Sequence, residues 1–289
     1  MNTVTMLLCT ATLLMTSTAI KASEASAFHI ARTQTIKIKH KEFDRDYALY
    51  IKLPEDYHKK TDSHYPVIYT TDAEWHMDLL SGVTTYIMPN VIIVGISWQQ
   101  NMSETVDYGD VRAFASRFRD YSFIESDKPK VQKKYQFGKG AEHLTFIRNH
   151  IMPLVAKTFR VDPTNQTYLG YSMGAEFGAY ILLAQPETFD NYILGSPSVD
   201  EKSIAYLDAL EKQHTQQHAS HHSNVFLSIG ALEHNAMDAT KQLASIIRRK
   251  GPSPRTLTGL EIINDADHTT AVPDTFTSSI KWLSTLSSN

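Results

Sequence analysis

The stretch YLGYSMGAEF, Tyr168 to Phe177, sets Ser172 between Gly170 and Gly174, with an apolar run before it and a helical pattern after it. A serine at such a strand-to-helix turn has its hydroxyl lifted clear of the backbone, beside the unpaired amides of a helix start that can hold an oxyanion. Side chains at the flanking glycines would collide with strand or helix, which is why glycine suits both places. A hydroxyl attacks a carbonyl only when a base removes its proton. His268, in NDADHTT, follows the last apolar strand and precedes the C-terminal helix, so its loop reaches the same rim. An acid that orients the imidazole falls between serine and histidine in chain order. Glu233, in SIGALEHNAM, is favoured by its place just past a strand end. Asp200 competes from the neighbouring strand, Asp238 is a weaker candidate, and Asp265 and Asp267 share the histidine's own loop. For the oxyanion, the amide of Met173 pairs with one from the loop after VIYTTD, where Ala73 is expected to supply it. Trp75 on that loop suits a wall of the acyl or alcohol site, and equally a buried core position.

These residues need a sheet whose strand ends converge. Short apolar or β-branched runs alternate with helical patterns along the chain, the mark of a mostly parallel sheet covered on both faces. Eight strands are expected: 34–40 and 47–53 as an antiparallel edge, then 66–72, 91–98, 166–170, 192–196, 225–230 and 260–265. The middle ones are near-continuous apolar runs, as strands buried on both faces should be. Leu144, Ile147, Ile151 and Leu154 repeat at helical spacing, as do Phe177, Ile181 and Ala184. A last helix begins near Pro273 and presents Phe276, Ile280 and Leu283. Two stretches break the rhythm and read as candidate insertions, 101–140 and 201–223. The second contains HTQQHASHHS, whose four histidines lack a carboxylate among them; no metal site is assigned there.

At the N-terminus, an uncharged apolar stretch from Met6 to Ile20 is followed by Lys21 and the small-x-small pattern Ala25-Ser26-Ala27. It reads as a secretory signal peptide over 1–27, leaving a single domain over 28–289. The one cysteine, Cys9, lies in that leader, so disulfides, thiolate metal sites and a cysteine nucleophile are excluded from the mature chain. A net charge of −3 gives no bias toward nucleic acid. Nothing after residue 27 is apolar and long enough to span a bilayer, so no stable membrane insertion is expected after cleavage.

The motifs taken in order resemble the Putative esterase family of α/β hydrolases, which holds the enterobactin-type siderophore esterases and the S-formylglutathione hydrolases. VIYTTDAEW looks like that family's strand and aspartate loop, SRFRDYSF like its Arg-x-Arg-Asp segment, and FGKGAEHLTFIRNHIMPLVAKTF like its glycine-rich helix entry. GYSMGAEFGAY looks like the elbow, GSPS like the next strand end, and GALE with DHTTAVP like the loops of acid and base. The resemblance implies an α/β-hydrolase fold and a catalytic set of Ser172, Glu233 and His268, with a serine-histidine dyad sufficing in some members. The chain departs from the family at Ala73, Ala175 and Val199-Asp200, which puts the substrate pocket rather than the core in question.

An exported, periplasmic or secreted serine esterase is therefore expected, working through an acyl-enzyme on a small-molecule ester and needing no cofactor. Among the family's branches, export favours the siderophore esterases. A ferric triscatecholate is anionic, and Arg112, Arg117, Arg119, Lys128, Lys130, Lys133 and Lys134 supply positive charge in the long insertion. Trp75 and Arg119 are the expected substrate contacts. The same charges also suit a solvated loop, diluted by Glu125 and Asp127. Two other readings stay open: an acyltransferase on the same scaffold, and a non-catalytic exported binding protein that uses 101–140 for recognition.

Overall fold

The computed structural model describes residues 29–214, 221–249 and 254–286. The leader expected over 1–27 lies outside the described residues, as does the middle of the histidine-rich stretch, 215–220. One sheet holds eight strands, β1 (Thr33–His40), β2 (Arg45–Lys52), β3 (Tyr65–Thr70), β4 (Ile92–Ile96), β5 (Val161–Tyr171), β6 (Asn191–Gly195), β7 (Ser223–Gly230) and β8 (Arg255–Ile263). Their spatial order is β1-β2-β4-β3-β5-β6-β7-β8. β1 pairs with β2, and β2 with β4, antiparallel; every other pairing is parallel. The mostly parallel sheet with an antiparallel edge thus matches expectation.

Helices cover both faces: α1 (Ala73–Ile87), α2 (Ser116–Asp120), α3 (Pro129–Tyr135), α4 (Gly140–Phe146), α5 (Met152–Thr158), α6 (Met173–Ala184), α7 (Glu201–His214), α8 (His234–Ile247) and α9 (Val272–Leu286). Successive strand residues point to opposite faces, so β3 sends Val67 and Tyr69 into one core and Ile68 into another. The first core takes residues of α4 to α8; the second takes Met77 and Leu80 of α1 with Phe276, Ile280 and Leu283 of α9. The two central strands, β3 and β5, therefore carry helices above and below, and their C-terminal ends open on one rim.

Three readings of the chain are corrected. The helix expected through Leu144 to Leu154 is α4 and α5 joined by a π turn, Ile147–Ile151. Pro153 is the second residue after that turn; it has no N–H for the helical ladder, and a wider turn absorbs the missing bond. The stretch 201–223 opens with α7, the crossover that parallel neighbours β6 and β7 require, so its first part belongs to the regular fold. Strands β5 and β8 each begin five residues earlier than expected, at Val161 and Arg255, because polar residues, with a proline in β5 and a glycine in β8, break up their opening stretches.

Candidate active site

Ser172 sits alone between β5 and α6, with φ 57° and ψ −122°. A non-glycine residue in that region is strained and persists only where its surroundings hold it. Here a Cβ on Gly170 would come within 2.3 Å of the Gly174 carbonyl oxygen, and one on Gly174 within 2.5 Å of Thr71 Oγ1. Only glycine at both places lets strand, turn and helix close up. The turn is tied to β6 as well: the Ser172 amide donates to the Gly195 carbonyl at 2.9 Å, and the Ser198 amide to the Ser172 carbonyl at 3.2 Å.

His268 stands on the loop between β8 and α9. Its Nε2 lies 2.9 Å from Ser172 Oγ, and its Nδ1 lies 2.6 Å from Glu233 Oε2. Glu233 ends the loop after β7 at the residue before α8, where its side chain makes no capping bond to the helix. Its other oxygen, Oε1, accepts from the Gly230 amide at 2.8 Å and from Ser196 Oγ at 2.7 Å. The Tyr171 hydroxyl donates to the His268 carbonyl oxygen at 2.8 Å and is 2.9 Å from Ser196 Oγ. Serine, imidazole and carboxylate thus form a continuous relay assembled from three separate strand ends.

The competing acids are placed elsewhere. Asp200 Oδ1 takes the Ser203 amide and hydroxyl, each at 2.8 Å, at the start of α7. Asp238 is an exposed residue of α8 paired with Lys241. Asp267 turns back onto the Thr270 and Thr269 amides, which hold its carboxyl below the usual range. Asp265 holds a left-handed turn position, φ 54°.

Met173 and Ala73 are the first residues of α6 and α1, where a helix amide has no intrahelical acceptor. Among the described residues neither amide donates to a protein acceptor. The two helix starts meet through Thr71, whose Oγ1 lies 3.2 Å from the Tyr168 hydroxyl; that hydroxyl donates to the Gly174 carbonyl at 2.7 Å.

Trp75 is half exposed, edge-on to Trp98 at 4.7 Å and against Phe114 at 5.3 Å. It is a surface platform rather than core. Arg119, by contrast, is not available to a ligand. It is buried, with Nε on Asp120 at 2.8 Å and NH2 on Gln99 and the Tyr47 hydroxyl at 2.8 and 3.2 Å. Arg117 is buried too, and bonds Asp72. A guanidinium desolvated inside the protein is kept by a facing carboxylate, and both arginines have one. Of the seven cations expected to face a ligand, these two face inward.

Ser198, Ser196 and Tyr171 are site residues that the motif reading passed over. Ser198 Oγ lies 2.9 Å from Ser172 Oγ. Its place in GSPS, one strand over from the elbow, is the signal that points to it. A cavity of about 310 Å³ begins at Met173 and Ser198 and runs between Phe123, Glu176, Asp200 and Lys202. A wider groove of about 1050 Å³ is lined by Tyr50, Glu74, Trp98, Gln99, Met102 and Arg112. Among the described residues no group of three His, Cys, Asp or Glu side chains is arranged to hold a metal ion. No helix among them is long and apolar enough to cross a membrane.

Comparison with known proteins agrees with this architecture. A family model described as "Putative esterase" matches residues 40–251. The chain is 25% identical over 230 residues to the ferri-bacillibactin esterase BesA of Bacillus subtilis (strain 168), covering 72% of this chain and 73% of that protein. Its fold is that of the crystallised BES protein from Bacillus cereus, with a TM-score of 0.74 and 21% identity over 91% of this chain and 98% of the other. It is shared with an IroE-like serine hydrolase from Shewanella oneidensis, with a TM-score of 0.68 and 19% identity over 86% and 79%. With a family model matching residues 40–251 and a fold shared with these structures, the chain belongs to the Putative esterase family and is a serine ester hydrolase.

Proposed function

We propose that Ser172 is the nucleophile, His268 the general base and Glu233 the acid that steadies it, in the hydrolysis of a small-molecule carboxylic ester. The observation that carries this is the relay from Ser172 Oγ through His268 to Glu233, with separations of 2.9 and 2.6 Å. Ser172 Oγ attacks the ester carbonyl carbon as its proton passes to His268 Nε2. Glu233 accepts from Nδ1, fixes the ring and balances the imidazolium charge. The carbonyl oxygen, now negative, takes hydrogen bonds from the Met173 and Ala73 amides, aimed by two helix starts. Collapse returns the proton from Nε2 to the leaving alkoxide, giving the alcohol and an acyl-Ser172 ester. Water, deprotonated by the same nitrogen, then attacks that ester, and the acid departs with Ser172 restored.

The substrate proposed is a trilactone siderophore, met outside the cytoplasm as its ferric complex, with iron as cargo. Support comes from the relatives' names and from the reading of 1–27 as an export signal. Lys128 at the cavity, with Lys130, Lys133 and Lys134 on α3, supplies cations for an anionic complex. Trp75, half exposed in the first turn of α1, offers an aromatic face.

A fluorophosphonate probe tests the nucleophile: wild type labels and Ser172→Ala does not, whereas equal labelling refutes the assignment. Incubation with a ferric trilactone siderophore, read by mass spectrometry, should give the ring-opened hydroxy acid. Turnover of short p-nitrophenyl esters with indifference to the siderophore rejects the substrate. N-terminal sequencing of the exported protein should begin at residue 28; a retained leader rejects export.

A further inference from the structure

The Ala73 amide can serve an oxyanion only if the turn before it is held. Asp72 has φ 54° and ψ 42°, a left-handed conformation in a residue other than glycine, and its side chain is fully buried. Such a backbone persists only where its neighbours impose it. Three donors grip its carboxylate. Arg117 of α2 reaches Oδ1 through Nε at 2.7 Å and Oδ2 through NH2 at 2.8 Å, and Trp98 Nε1 reaches Oδ1 at 2.7 Å. The Asp72 amide donates to the Tyr121 hydroxyl at 3.3 Å. The Arg117 guanidinium lies 4.7 Å from the Trp75 ring centre, so the fork is itself clamped.

On its other sides the turn is fixed by contact. Thr71 abuts Gly174, and a Cβ on Gly95 would come within 2.8 Å of the Ala73 Cβ. These contacts limit how far the turn can move but do not set the direction of its amide. A two-pronged bond between planar groups does, because it fixes orientation as well as distance. Arg117 has a second effect. Asp72 would otherwise leave a buried negative charge next to the place where the oxyanion forms, and the guanidinium cancels it.

We propose that Arg117 is a positioning residue: through its forked bond to Asp72 it aims the Ala73 amide at the oxyanion and removes the opposing charge. The 101–140 segment then serves the transition state through this residue rather than offering its charge to the substrate. The inference rests on the reading of Ser172 as nucleophile and of Ala73 as an oxyanion donor. Because the oxyanion exists only in the transition state, the effect falls on kcat and not on KM.

The test uses the full chain with Arg117→Lys, Arg117→Met, Asp72→Asn and the Asp72→Asn/Arg117→Met pair. Each is measured for kcat and KM on p-nitrophenyl butyrate, for inhibition by an alkyl boronate that forms a tetrahedral adduct on serine, and for labelling by a fluorophosphonate. Arg117→Met should lower kcat about a hundredfold, the effect of misaiming one oxyanion donor. Arg117→Lys, which keeps charge but loses the fork, should lower it about tenfold. KM should stay within about twofold, and boronate affinity should fall in step with kcat. The double variant should be no worse than Arg117→Met, since it leaves no carboxylate uncompensated; it also carries the test if Arg117→Met does not fold. A folded Arg117→Lys enzyme with unchanged kcat, or a rise in KM with boronate affinity intact, overturns the proposal while labelling shows the nucleophile sound. Absence of labelling in wild type overturns both readings together.

Discussion

Two pairs of bonded side chains flank the nucleophile and are built in opposite ways. Glu233 and His268 are joined by one bond of 2.6 Å, with side chains 9% and 46% exposed. Asp72 and Arg117 share two bonds, with side chains 1% and 9% exposed. Burying a charge is costly unless a partner compensates it at all times. In the proposed reaction His268 gains and loses a proton each half-cycle, and an open imidazole can do so with water nearby. A guanidinium stays protonated throughout, so the second pair can be sealed inside. The one group that must change charge, His268, faces solvent, and both members of the pair that must not are buried.

Substitution tests this contrast most severely at its centre. Ser172→Ala should lower kcat by about 10⁴-fold or more, and His268→Ala by as much, since relay members fail together. Glu233→Gln should cost about a thousandfold, because an amide toward Nδ1 favours the wrong tautomer. A loss below tenfold would mean that serine and histidine suffice without Glu233. The stability order should be reversed. Asp72→Asn leaves the Arg117 charge buried without its partner, a loss of about 3–5 kcal/mol. Thermal melts should therefore show Asp72→Asn well below Glu233→Gln. The reverse ranking would dissolve the distinction between a working pair and a fixed one.

The same contrast explains what was legible in the sequence. That Ser172, His268 and Glu233 lie within hydrogen-bonding reach was legible because each lies just past an apolar run, and parallel strands bring their C-terminal ends to one rim. Phe276, Ile280 and Leu283 of α9 are fully buried, as their spacing requires. Arg119 is misread because arginine is ordinarily exposed, and its carboxylate partner is the adjacent residue, Asp120. Arg117 pairs across 45 residues with Asp72, a distance no local pattern reports. Helices α2 and α3 are five and seven residues long, too short for a periodic signal. Charge in that segment includes the buried fixtures Arg117 and Arg119, and composition does not separate them from exposed cations.

Two other carboxyls sharpen the comparison, because among the described residues no ion pair holds them. Burial pushes Glu176 up to about 8; a hydrogen bond with Ser203 opposes the shift and the charge of Asp200 adds to it. Glu74 is exposed as a residue, but desolvation of its carboxyl pushes it up to about 7, against hydrogen bonds from backbone amides. Both ionise in the unfolded chain near 4.5 and stay neutral in the folded one until these higher values. Unfolding between those limits releases a proton, so stability falls as pH rises through the window and levels off above it. Glu176→Gln should therefore melt above wild type by a margin that grows from about pH 4.5 to about pH 8, reaching a few °C. For Glu74→Gln the growth should stop near pH 7. Margins that do not vary with pH would mean both carboxyls are already charged in the folded protein.

The smallest expected effect concerns the platform that the buried pair supports. Trp75 contributes nothing to the proposed proton relay, but its half-exposed ring lies two residues past Ala73 on α1 and over Arg117. Stacking on such a face is worth about 0.5–1.5 kcal/mol, a few-fold in binding. Trp75→Ala should raise KM for esters with an aromatic acyl or alcohol group by about three- to tenfold. Butyl esters should be affected less, and Trp75→Phe should recover most of the loss. A fall in kcat for both classes would show instead that the ring acts by clamping the Arg117 fork. Trp75→Phe distinguishes the two roles, since a phenyl ring keeps a stacking face for substrate but covers less of the guanidinium.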